Sequence, residues 1–348
     1  MGLKTSVGWI AFGLVGLAAS QLKSESGLKL SCSGLVVDRI DPIASPGVIG
    51  SSHLHQIVGG NSFNATMDPQ DDPAARSTCT TCTLTDDLSN YWTAVMYFRS
   101  REGKYKRVRQ LGALFNEQAR DGGVTVYYFP HPKHTSNMTA FPRGFRMRNG
   151  DPKIRDALSN QKYEIHYTCL QADDTRFNEK YISRDFPKVP CPAGVLTTYY
   201  FPPCWDGVNL DSRDHYSHVA WPAEGLSSFR WGNHSDCPAT HPVKVPMLVM
   251  EIRWDTREFA PVYEAWPEDG GQPFVWSFGD GTGYGNHADY LFGWKGDSLQ
   301  NAFTKCDVAN CGLPKQDIAD ANECGMKAVV GEKVNGWLDS LPGGVEVD

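Results

Sequence analysis

The sequence predicts a mostly β protein: an antiparallel β-sandwich or jelly-roll-like fold with long disulfide-braced loops and few short helices. Three observations predict it. Apolar and aromatic runs of about six residues recur between clusters of turn residues. Gly (34) and Pro (22) are abundant enough to supply those turns. The 10 Trp, 14 Tyr and 16 Phe suit a pleated surface better than long helices. No helical segments alternate with the strands, which argues against a parallel α/β architecture.

In chain order, Lys4 followed by the apolar run Val7 to Ala19 reads as a secretory signal, with Ala18-Ala19-Ser20 as the cleavage region. Residues 1–20 are therefore expected to leave, and the run is too short to span a bilayer. Residues 21–31 are polar and read as a loose segment. Strands are expected at Leu35–Val37, within His53–Asn61, at Tyr91–Phe98 with a hairpin partner in Lys104–Leu111, and at Val124–Phe129. Phe141–Met147 reads as extended. Further strands are expected at Ile165–Leu170, Val195–Phe201, Val245–Trp254 and Phe274–Phe278. Gly296–Cys306 reads as a helix capped by Asp297 or Ser298. With no linker and no repeat, residues 32–325 read as a single domain, followed by an acidic, loose tail at 326–348.

The chain of 348 residues carries a net charge of −7, which excludes an electrostatic nucleic-acid binder. Ten cysteines in an exported chain predict five disulfides among Cys32, Cys79, Cys82, Cys169, Cys191, Cys204, Cys237, Cys306, Cys311 and Cys324. Cys79-Thr-Thr-Cys82 reads as a tight local loop, since no second CxxC completes a zinc site. Sequons at Asn64, Asn137 and Asn233 mark glycosylation sites. The expected location is extracellular, with no membrane span in the mature chain, and the protein reads as a monomer.

The densest polar stretch is CWDGVNLDSRDHYSHVAWP, Cys204 to Pro222, which has no sustained apolar period. It supplies Asp211, Arg213, Asp214, His215 and His218. Two other clusters bring imidazole beside carboxylate: Asp41 with His53 and His55, and Asp280 with His287 and Asp289. In a strand, His53 and His55 share one face. Imidazole titrates near neutral pH and serves as acid, base or ligand. If His53, His55, His218 and His287 converge, the site either binds one divalent metal ion, with His53, His55 and His218 as candidate ligands, or performs metal-free acid–base catalysis. His218 and Asp214 are the expected base and orienter, with His53, His55 and His287 completing the catalytic set. Trp205, Trp221, Tyr290 and Trp294, with Asp211 and Arg213, are the candidate substrate-binding residues, since aromatic faces stack on sugar rings. The remaining five histidines (131, 134, 166, 234 and 241) read as ordinary surface residues. The sequence has no GxSxG elbow and no phosphate-binding P-loop, and GDGTGYG opens no βαβ unit.

HLHQIVGGNSF, CTTC, SNYWTAVMYF, FPRGFRMRNGDP, FPPCWDG, DHYSHVAWP and FVWSFGDGTGYGNHADYLFGW, in that order, resemble the signatures of the fungal domain of unknown function nineteen-ninety-six. The resemblance covers about Asp38 to Cys306. It implies a secreted fungal protein, of a kind found joined to carbohydrate-binding or cell-wall (WSC) modules, and so a role on polysaccharide. The expected function is a glycan-active enzyme, a hydrolase or lyase on cell-wall polysaccharide. A hydrolase would draw facing carboxylates from Asp41, Asp211 and Glu251. A lyase would neutralise a uronate with Arg39 or Arg213. The alternative is a non-catalytic glycan- or metal-binding wall protein.

Overall fold

The computed structural model describes residues 27–112, 118–130, 138–223, 236–259, 266, 271–304 and 312–348. The signal segment, Asn137 and Asn233, and Cys306 and Cys311 lie outside these. Strands dominate, and every pairing is antiparallel.

Two sheets form the body. The seven-stranded sheet runs Leu28–Ser33, Gly123–Phe129, Met247–Trp254, Val195–Tyr200, Glu164–Cys169 and Ile182–Ser183, with Gln110–Leu111 alongside Met247–Trp254. The five-stranded sheet runs Val36–Asp38, His55–Gly59, Asn90–Ala94, His287–Leu291 and Arg146–Gly150. One apolar cluster joins them. Tyr91, Ala288 and Tyr290 from the smaller sheet meet Leu30, Tyr128, Tyr199 and Met250 from the larger. Because four of these seven side chains are tyrosines, hydroxyls must pair inside the core. Tyr91 meets Tyr128, Tyr128 donates to Tyr290 at 3.1 Å, and Thr93 meets Tyr199 at 3.0 Å. Alternation then fixes the other face. If Tyr91, Thr93, Ala288 and Tyr290 point into the sandwich, then Trp92, Ala94, His287 and Asp289 point away from it.

The run Tyr91–Phe98 serves two sheets rather than one. It divides at Val95 into Asn90–Ala94 and Met96–Arg99, and the latter pairs with Phe274–Trp276 and Tyr105–Arg107. The predicted helix is Ser298–Thr304.

Two segments expected to be loose are structured. Leu28–Ser33 is a strand because Leu28, Leu30 and Cys32 alternate inward. In the tail, Trp337–Leu338 pairs with Tyr105–Arg107, and Leu338 and Leu341 are buried with Val345 and Val347 against them. Four disulfides are present among the described residues: Cys32–Cys82, Cys79–Cys324, Cys169–Cys191 and Cys204–Cys237. The expected local Cys79–Cys82 loop is thus replaced by two long-range bridges. Among the described residues no cysteine is free and no helix is long and apolar enough to cross a membrane.

Candidate metal centre

His53, His55 and His287 meet on the outward face of the five-stranded sheet. His55 opens its strand opposite Ala94. Ala288 pairs with Thr93, so His287 comes level with Ala94 from the other side. The two imidazoles thus flank a methyl group, and their ring centroids lie 6.2 Å apart. On its far side His287 pairs with Gly150 at φ +105°, where an added Cβ would come within 2.2 Å of the Asn286 carbonyl oxygen. His53 lies in the bend before the strand, its ring 4.2 Å from that of His55. The three rings are buried, and one nitrogen from each falls within 4.8 Å of the others.

The hydrogen bonds orient these nitrogens. His287 Nδ1 lies 3.2 Å from the Gly285 carbonyl, which can only accept, so Nδ1 carries the proton and Nε2 presents its lone pair. His53 Nδ1 meets Ser52 Oγ at 2.9 Å, and its Nε2 lies 3.2 Å from His287 Nε2. Two nitrogens bound tetrahedrally to one ion at about 2.0–2.1 Å would stand about 3.3–3.4 Å apart, so this spacing suits a shared ion. His55 has no hydrogen-bond partner in good geometry at either nitrogen. The Ile40 backbone and the Asp41 carboxylate, 3.8 Å from Nε2, lie close to it.

Burial pulls all three imidazoles below their usual range, with the neighbouring imidazoles and Arg148 adding to this for His53 and His287. They are therefore neutral at pH 7, the state in which imidazole ligates. Asp289, two residues beyond His287 on the same face, is fully buried with both oxygens unpartnered among the described residues. Burial, then repulsion from Asp41, raises its pKa well above the usual range despite Arg148. Phe278 covers the group, its ring 5.2 Å from both His53 and His287. Asp280 does not join. Its carboxylate holds the glycine loop by accepting from the Thr282, Gly283 and Gly285 N–H groups.

A family model described as domain of unknown function (DUF1996) matches residues 41–294, which includes all three histidines. The chain belongs to the DUF1996 family. No curated protein and no solved structure matches it.

In this DUF1996 chain the Cys204–Pro222 stretch is a self-paired loop that covers the sheet edge. Arg146 and Arg148 donate their N–H groups to the Leu210 and His215 carbonyls. His218 does not reach the triad. It is buried, with Nε2 2.9 Å from the Arg146 carbonyl and Nδ1 2.9 Å from Ser212 Oγ. Asp214 makes no direct bond to it. Partial burial pushes the Asp214 carboxyl up, but donors from Ser217, Ser212 and Tyr216 outweigh that and hold it below the usual range. Asp211 is taken by His215 Nδ1 at 2.8 Å and by the Ser212 N–H. Glu251 sits on the other sheet, bonded by Tyr127 and beside Arg176. Tyr290 and Trp294 are core residues, with Trp294 Nε1 donating to Tyr128 Oη. Trp205 and Trp221 are half-buried and Arg213 is exposed. Asn64 is half-buried, its side chain in a local turn with Ser62 and Thr66. Sequence reasoning missed Phe278, Ser52, Gly150 and Ala94, whose roles arise only from packing.

Proposed function

We propose that this is a metal-binding protein whose working centre is the His53, His55 and His287 triad, holding one divalent transition ion of the zinc or copper kind. The reading is carried by one observation: three buried, neutral imidazoles gather their donor atoms within 4.8 Å, and neither His55 nitrogen has a hydrogen-bond partner in good geometry. Uncompensated buried polar atoms cost free energy, which an ion would recover. Nitrogen donors suit zinc and copper better than calcium or magnesium. The Asp41 carboxylate, 3.8 Å from His55 Nε2, adds negative charge that favours a cation. Four disulfides support an oxidising, extracellular location.

A second reading is favoured by the donor count. Closed structural sites fill four positions, whereas three nitrogens leave one for water or substrate, and such an ion acidifies bound water. On that reading the protein is a metal-dependent hydrolase or lyase on cell-wall polysaccharide, with Trp205, Trp221 and Arg213 as sugar-facing candidates. The non-catalytic wall protein is the same centre without turnover.

Metal titration of the stripped chain tests the first reading. We expect uptake of one Zn²⁺ or Cu²⁺ per chain, weakened more than about 100-fold by His55→Ala or His287→Ala and unchanged by His218→Ala. Equal uptake by His55→Ala would overturn it. A polysaccharide panel run with and without EDTA separates the enzyme from the binding protein.

A further inference from the structure

A cleft of about 520 Å³ opens on the opposite edge of the five-stranded sheet, between the start of Val36–Asp38 and the C-terminal segment. Its volume lies within the range of small-molecule sites. Part of its lining is apolar, from Leu35, Val36, Met326 and Val334. The rest is charged, with Arg107, Arg120 and Lys327 alongside the acids Asp121 and Glu323.

The two arginines differ in their commitments. Arg120 is built into the wall, its Nη2 donating to the Gly34 and Cys324 carbonyls. Gly325 makes room for it, since a Cβ there would lie 2.4 Å from Nη2. Arg107, on the strand Tyr105–Arg107, is half-buried, and its side chain makes no hydrogen bond or ion pair within 4.0 Å among the described residues. Burial draws its pKa down, opposed by Asp121 and Tyr97, which face it at longer range. A guanidinium free of protein partners at the side of a cleft is open to a ligand, and its planar fork matches a carboxylate. The apolar lining then selects an organic body over an inorganic anion.

We propose that this cleft binds a small organic acid, its carboxylate on Arg107 and its apolar body against Leu35, Val36, Met326 and Val334. The site is independent of the metal centre and stands or falls without it.

The probes are 1-pyrenebutyrate and its neutral counterpart 1-pyrenebutanol, followed by fluorescence anisotropy on the full chain. We expect the acid to bind the native protein at least about tenfold tighter than the alcohol, because a charge-assisted hydrogen bond is worth about 1.5–3 kcal/mol. Arg107→Gln should remove that preference and leave alcohol binding alone, while Met326→Trp should block both probes. Added salt should weaken the acid more than the alcohol. The acid–alcohol comparison needs no variant, so a poorly folding Arg107→Gln does not blunt the test. Equal affinity for the two probes, or acid binding unchanged in Arg107→Gln, overturns the proposal.

Discussion

Asp41 spends one carboxylate oxygen on the backbone and turns the other toward His55. Oδ1 accepts from the Ile43 and Ala44 N–H groups at 2.9 Å, and Oδ2 stands 3.8 Å from His55 Nε2. A carboxylate behind a ligating imidazole orients the ring and raises its basicity. Asp41→Asn keeps the turn but loses the charge, so metal affinity should fall by about 10–100-fold, read by titration with a competing chelator. Unchanged affinity would mean that Asp41 serves the turn alone. A second carboxylate sets a pH dependence remote from the histidine triad. Burial pushes Asp87 up to about 6, against the Tyr91 hydroxyl and Ser89 donors that favour its ionised form. Its unfolded value is about 3.9, so the folded chain holds an extra proton between those two pH values and stability falls as pH rises through them. The loss is about 3 kcal/mol at one and a third kcal/mol per pH unit. Chemical denaturation from pH 4 to 7 should show this slope, and Asp87→Asn should flatten it.

At the scale of elements, the sheet edge decides where His287 stands. Arg146–Gly150 pairs with His287–Leu291, and Gly150 faces His287 where an added Cβ would press on both Asn286 O and His287 Cα. Gly150→Ala also forces a side chain into a left-handed backbone. It should destabilise the fold by about 1–3 kcal/mol and weaken metal uptake, whereas alanine at the half-buried Gly103, with open space around its added Cβ, should leave uptake unchanged. Equal metal affinity in Gly150→Ala would sever the edge from the site. These elements also show what spacing reveals. His53 and His55 are legible as a pair because side chains two apart share a face. The same alternation separates His287 and Asp289 from Ala288 and Tyr290, so Tyr290 is core for the reason that His287 is not. His218 misleads because spacing does not reveal whether a polar group is satisfied locally. Its nitrogens are taken by Arg146 O and Ser212 Oγ. Val95 misleads because an unbroken apolar run can feed two sheets in turn.

At the scale of the whole molecule, disulfide connectivity follows spatial proximity, which spacing does not encode. Cys79 and Cys82 are near in sequence yet tie two different regions. Cys82 joins the first strand through Cys32, and Cys79 reaches Cys324 across 245 residues. Beyond Cys324 the chain returns to the body. Val329 and Val330 donate to Asp38, Trp337–Leu338 adds a strand, and the Asp348 N–H reaches Gly279 O. The Cys79–Cys324 bridge pins the start of this return and one wall of the Arg107 cleft, whereas His55 and His287 sit on strands held by the sandwich core, with His53 in the bend before the first of them. Replacing both cysteines by serine should therefore cost about 2–5 kcal/mol and lower the melting temperature by several degrees. Limited proteolysis should cut first between residues 325 and 336, and pyrenebutyrate binding should weaken while metal uptake persists. Loss of metal binding in that double variant would show that the returning segment braces the triad as well, and that the two sites are not independent.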